Sequence, residues 1–219
     1  MILNQHFRIG SIKKKLPGFI LLVILSSLAS TTLAANEEAL LNAFKRSYQA
    51  ETNGKFSDGI SILKTVYSAD DYQLNMRLGW LTYLGGFFTE SSSYYQKAIN
   101  LRKYSIEAKL GKAYPLSVMG NWNEIEQLYN EILELDPKNS LTLYRMGSIS
   151  YGRKDYKQAE KYLELILNLY PMDYNSLSLF AWTKLQLGKK KEAFILFQQV
   201  LQLSPDDASA LEGLKAIGG

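Results

Sequence analysis

The sequence predicts an all-α chain, a solenoid of about five helix-turn-helix units closed by a C-terminal helix. Three observations predict it. Pro137, Pro171 and Pro205 stand 34 residues apart. The same spacing links Ile125, Ala159 and Ala193, then Tyr129, Leu163 and Phe197, then Ile132, Ile166 and Val200. Gly86 and Gly120, Phe88 and Trp122, and Tyr95 and Tyr129 extend the 34-residue period backward, and Gly54 and Phe56 add a unit at a spacing of 32. A fixed period of this size is the mark of a stacked-repeat architecture.

Residues 1–35 read as a leader. Arg8 and Lys13-Lys14-Lys15 form a basic flank, Phe19–Leu25 begins an apolar run, and Ala34 and Ala35 are small residues suited to a signal peptidase. Cleavage after Ala34 is expected, with cleavage after Ala35 as the alternative. The rival reading is a retained anchor, because Leu16 to Ala35 is about the length of a membrane span. Either way the body, residues 36–219, is expected outside the cytoplasm, periplasmic or secreted if the source is bacterial. The membrane is a partner only if the leader is retained.

The repeat units fall at about 40–71, 72–103, 104–139, 140–173 and 174–207, with the closing helix at about 206–217. Small residues at Gly79, Gly111, Gly147 and Ala181 let paired helices approach, and large apolar residues fill the space around them. Gly54, Gly86, Gly120 and Gly188 are predicted at the turns within units, where a left-handed backbone is needed. The prolines end units. The segments 136–140 and 204–207 supply caps for the helices that follow. In the closing helix, Leu211, Leu214 and Ile217 are expected to face inward and Glu212 and Lys215 outward.

Two departures stand out. Arg46-Ser47 occupies the apolar-small pair of the first unit, so its first helix is expected to pack loosely. Aligned on Leu110-Gly111, the third unit carries two extra residues before Gly120, with Pro115 inside the helix. A kink or early end is expected there.

These features resemble the tetratricopeptide-repeat (TPR) family over about residues 40–207. The fourth unit carries the resemblance best, with Met146-Gly147, Tyr156, Ala159, Leu163 and Pro171. The resemblance implies a right-handed solenoid whose first helices line a concave groove that binds a protein or peptide. Its groove positions are Phe44 and Tyr48 in the first unit, and Met76, Trp80 and Tyr83 in the second. They are Ala108 and Lys112 in the third, Tyr144, Ser148 and Tyr151 in the fourth, and Ser178, Trp182 and Leu185 in the fifth. Only Lys112 is cationic among these, so the clamp that some family members use for a terminal carboxylate is not expected.

Composition narrows the chemistry. There is no cysteine and the one histidine, His6, lies in the leader. Disulfides, Cys or His metal sites and His-based triads are therefore excluded from the body. The carboxylate pairs Asp70-Asp71 and Asp206-Asp207 sit at unit junctions and read as helix caps. No catalytic residue, cofactor or small-molecule substrate is expected. Four of the 25 basic residues precede Asn36 and none of the 21 acidic residues does, so the body is neutral. Nucleic acid is therefore not an expected partner, and aromatic contacts, more than charge, are expected to supply affinity. The sequence points to an exported scaffold or adaptor in a cell-envelope or secretion assembly. The alternative is a chaperone-like holder of extended secretory clients.

Overall fold

From the second repeat on, the first helix of each repeat starts where a short polar side chain caps it. In the computed structural model, which describes the backbone of residues 18–218 and side chains from residue 35 onward, Asp71, Ser105, Asn139, Asp173 and Asp207 stand 34 residues apart. Each accepts a hydrogen bond from the backbone N–H three residues on, the last four from Ala108, Thr142, Ser176 and Ala210. Such a bond satisfies one of the orphan donors at a helix start. The basic flank and the apolar side chains of the leader lie outside the described residues. Among the described residues no helix is long and apolar enough to cross a membrane.

Eleven helices and no strand occur among the described residues. The chain divides into two compact units, Met1–Val66 and Tyr67–Gly219. The first contains α1 (Gly18–Thr52) and α2 (Phe56–Lys64). Ala43, Ser47 and Ala50 of α1 and Gly59, Ile60 and Leu63 of α2 are buried. Ser47 takes the small-residue place at full burial, its hydroxyl donating to the Phe44 carbonyl at 2.7 Å, so the contact that Arg46-Ser47 was expected to loosen is closed.

The second unit pairs α3 (Tyr72–Leu84) with α4 (Phe88–Leu101), α5 (Ile106–Val118) with α6 (Trp122–Leu135), α7 (Ser140–Gly152) with α8 (Tyr156–Leu169), and α9 (Tyr174–Gln186) with α10 (Lys190–Leu203). The helix α11 (Ala208–Gly218) follows. Pro137, Pro171 and Pro205 each lie just beyond a second helix and prevent its continuation. Tyrosines at the first position of α3 and α9 join neighbouring repeats. The Tyr72 hydroxyl meets Ser105 Oγ at 2.8 Å, and the Tyr174 hydroxyl donates to Asp207.

The third repeat corrects the sequence reading. α5 starts 34 residues after α3 and 34 before α7, and has the same length as both. It holds no extra residues and does not end early at Pro115, which is buried inside it. The small residue equivalent to Gly79 and Gly147 is Ala113, not Gly111. Gly111 has another role. A Cβ there would lie 2.3 Å from Cε1 of Tyr95, a ring of α4 that also rests on Gly79. Gly213 of α11 makes the same allowance for Phe197 of α10, where a Cβ would lie 2.1 Å from the ring. A buried aromatic on one helix thus fixes a glycine on the next.

The closing helix departs from expectation at one residue, Leu211. Ala210 and Gly213 are its buried residues, Leu214 and Ile217 pack on the core, and Leu211 is 51% exposed. Leu143 and Leu177, at the same helical position, are covered by α8 and α10. Among the described residues α11 has no such second helix over Leu211.

Candidate functional site

The corrected register moves the candidate surface. Trp80, Tyr114, Ser148 and Trp182 are equivalent at 34-residue spacing, as are Met76, Leu110, Tyr144 and Ser178, and Tyr83, Ser117, Tyr151 and Leu185. In the third repeat the nominated residues are therefore wrong. Ala108 is fully buried, and Lys112 is 6% exposed. The Lys112 ammonium donates to Gln96 Oε1 at 2.6 Å and pairs with Glu124. It ties α4, α5 and α6 together and is not presented to a ligand. Tyr114, at 41% exposure, holds the surface place instead.

Tyr114 brings two helices' aromatics together. Its ring centroid is 5.5 Å from Tyr83 and 6.1 Å from Trp80, and Trp80 and Tyr83 are 5.7 Å apart. These are ordinary distances for paired rings. Tyr83 also meets Phe88 at 6.0 Å. Met76 packs inward on the central core.

On its other side Tyr114 lines a cavity of about 530 Å³ between α5, α6 and α7. Trp122 and Leu141, both close to half exposed, form its apolar rim. Ile125 and Tyr129 lie deeper, and the charged lining residues are Arg145 and Arg153. No carboxylate lines it. Burial pushes the Tyr129 phenol up from its ordinary pKa, and the nearby Arg145 charge opposes the shift. Arg153 pairs with Glu126. Of the groove residues named from sequence, Ser148 alone lines this cavity, and its hydroxyl is turned back to the Tyr144 carbonyl at 2.9 Å.

The remaining candidates separate. Tyr144 lines a second depression beside Leu141 and Tyr170. Tyr151 stacks edge-on against Tyr156 at 5.4 Å, and burial raises its pKa. Trp182 is drawn into the C-terminal core. Its ring meets the buried Phe197 edge-on at 5.2 Å, and its indole N–H donates to Ser209 Oγ of α11 at 2.8 Å. Leu185 packs on the same cluster. Phe44 is half-buried and Tyr48 55% exposed, both within the first unit. Among the described residues no group of three His, Cys, Asp or Glu is placed to hold a metal ion.

Models of the tetratricopeptide repeat match residues 141–171 and 174–207. This chain belongs to the tetratricopeptide-repeat family. The fold agrees: a TPR protein from Parabacteroides merdae superposes with a TM-score of 0.72 at 19% identity, covering 82% of this chain and 72% of that one. MamA gives 0.67 at 16% identity over 78% of this chain and 95% of its own. YrrB, described as a TPR protein with an unusual peptide-binding site, gives 0.60 at 20% identity, covering 74% and 81%. Among curated proteins, human O-mannosyl-transferase TMTC1 is 31% identical over 65% of this chain. The CTR9 homolog of Arabidopsis thaliana is 25% identical over 58%. The TPR chain spans 17% and 12% of the lengths of these two relatives.

Proposed function

We propose that this TPR chain is an exported scaffold or adaptor that binds a segment of a partner protein on the face formed by α3, α5 and α7. One observation carries the reading. Tyr114 belongs both to the Trp80–Tyr83 ring cluster and to the lining of the cavity that Trp122 rims, so aromatic side chains of successive repeats meet at one place. Partly exposed aromatics around a pre-formed concavity are the usual anchors of protein recognition. The family supports a protein or peptide partner. The transferase activity in the name of TMTC1 belongs to a far longer protein, and nothing in the body here carries a His- or Cys-based reaction centre.

The test is capture of partners from a cell-envelope fraction on immobilised protein, followed by calorimetry with the captured partner. Tyr114→Ala is expected to weaken binding by about 2 kcal/mol with unchanged helical content. Wild-type affinity in that variant would refute the face. Export is tested separately by the intact mass of the protein from that fraction: a start at Ala35 or Asn36 marks a cleaved leader, and the full 24.8 kDa chain in the membrane pellet marks an anchor.

A further inference from the structure

The cavity's apolar rim and its charge ask for different things from one ligand. Tyr114, Trp122 and Leu141 offer exposed apolar surface, 41%, 47% and 45% accessible. Both charged lining residues are arginines, in a body with no net charge to account for them. The two arginines differ. Arg153 is engaged by Glu126, whereas Arg145 is exposed and has no ion pair among the described residues. The buried lysines of the second unit are matched: Lys109 by Glu131, Lys112 by Glu124, Lys184 by Glu160 and Glu192. Arg145 instead stands exposed at a cavity whose lining has an aromatic rim and no carboxylate. A guanidinium has a planar fork of donors that fits a carboxylate bidentately. A volume of about 530 Å³ is in the range of sites that enclose a few residues' worth of ligand.

We propose that this cavity binds an extended peptide segment with an acidic residue next to a bulky apolar one. The carboxylate pairs with Arg145 and the apolar side chain packs between Tyr114, Trp122 and Leu141. The proposal rests on the peptide-binding reading above and adds the chemistry of the ligand. It also alters one expectation. A neutral body predicts binding that salt hardly changes, whereas an exposed Arg–carboxylate pair predicts that rising salt weakens it.

The experiment selects binders to the full chain from a displayed library of random peptides, then measures synthetic versions by fluorescence anisotropy. Enriched peptides are expected to carry Asp or Glu beside Phe, Trp, Leu or Met. Exchanging that acid for its amide should weaken binding to the wild type about tenfold. The same exchange should change little in Arg145→Gln, and this comparison within one variant holds even if its stability differs. Tyr114→Ala should lose binding of the acid and amide forms alike. Enriched peptides without acids, indifferent to Arg145→Gln yet lost in Tyr114→Ala, overturn this proposal and leave the peptide-binding reading standing. Peptides indifferent to both variants, or no enrichment at all, remove the face itself. Arg145-dependent binding of a labelled oligonucleotide, or a self-association that Arg145→Gln abolishes, assigns the cavity to nucleic acid or a second copy and overturns the proposal.

Discussion

The central repeats and the C-terminal ones treat the same helical position in opposite ways. In α5 it is Tyr114, whose ring meets other partly exposed rings and faces a cavity. In α9 it is Trp182, whose ring lies on Phe197 and whose N–H is taken by Ser209. Helical phase decides which way a side chain points. What it meets there depends on the next helix, and α11 presents a small hydroxyl residue at the place where α7 presents Leu141. An aromatic at a groove position is therefore open surface in one repeat and packing in another.

The largest expected effect tests that division. Trp182→Ala removes a ring from the α9–α10–α11 contact and leaves Phe197 uncovered on one side. It should cost about 3 kcal/mol in urea unfolding, at the low end for a large aromatic because Trp182 is only half-buried. Tyr114→Ala should cost below about 1 kcal/mol, as surface substitutions do. Equal losses in the two variants would break the comparison.

The C-terminal repeats are also stitched by charge. Glu160 of α8 accepts from Lys184 of α9 and from Lys189 in the turn before α10, and Lys184 pairs in addition with Glu192. Burial pushes the Glu160 carboxyl up, but the two lysines outweigh it and hold it below its ordinary value of 4.5. Burial pulls Lys184 down, but Glu160 and Glu192 outweigh it and raise it above 10.5. A depressed carboxyl contributes stability that is complete above pH 4.5 and lost as pH falls through the lowered value. A raised ammonium contributes below pH 10.5 and is lost as pH rises through its higher value. Glu160→Gln should cost about 2 kcal/mol at neutral pH, less than a fully broken buried pair because Glu192 remains. Its stability should also fall less steeply below pH 4.5 than that of the wild type. Parallel acid profiles would remove the pair from the account.

Much of this was legible in the sequence, and the failures have a common cause. Caps, prolines and turn glycines are local requirements, so Asn139, Asp207, Pro171 and Gly120 announced the helix ends by themselves. The third repeat misled because Gly111 looked like the small residue at the helix contact. It is small for another helix's sake, to admit Tyr95. That two-residue slip nominated Ala108 and Lys112 and passed over Tyr114, which an unbroken 34-residue count from Trp80 would have found. The cavity is assembled from three helices, and Trp182 is tied to Phe197 of α10 and to Ser209 of α11, so no local pattern carries them.

The smallest expected effect lies beside the cavity. The turns within repeats place Gly86, Gly120 and Gly188 at φ of 81°, 73° and 75°, but in the fourth repeat the equivalent residue is Lys154, at φ 64°. A side chain bearing a Cβ is strained there, by about 1–2 kcal/mol. Glycine relieves the strain but leaves a freer unfolded chain, which returns about 0.5–1 kcal/mol. Lys154→Gly should therefore stabilise the protein by about 0.5–1 kcal/mol, and Gly188→Lys should destabilise it by a similar amount. Lys154 follows Arg153 and Gly152, both of which line the cavity, so the strained turn belongs to the region assigned to binding and the relaxed one to the region assigned to packing. Chemical denaturation of the two variants measures both halves. Opposite signs of similar size support the distinction. If Lys154→Gly destabilises, the lysine side chain contributes more through its surroundings than its backbone loses, and the turn by the cavity is no weaker than its counterpart.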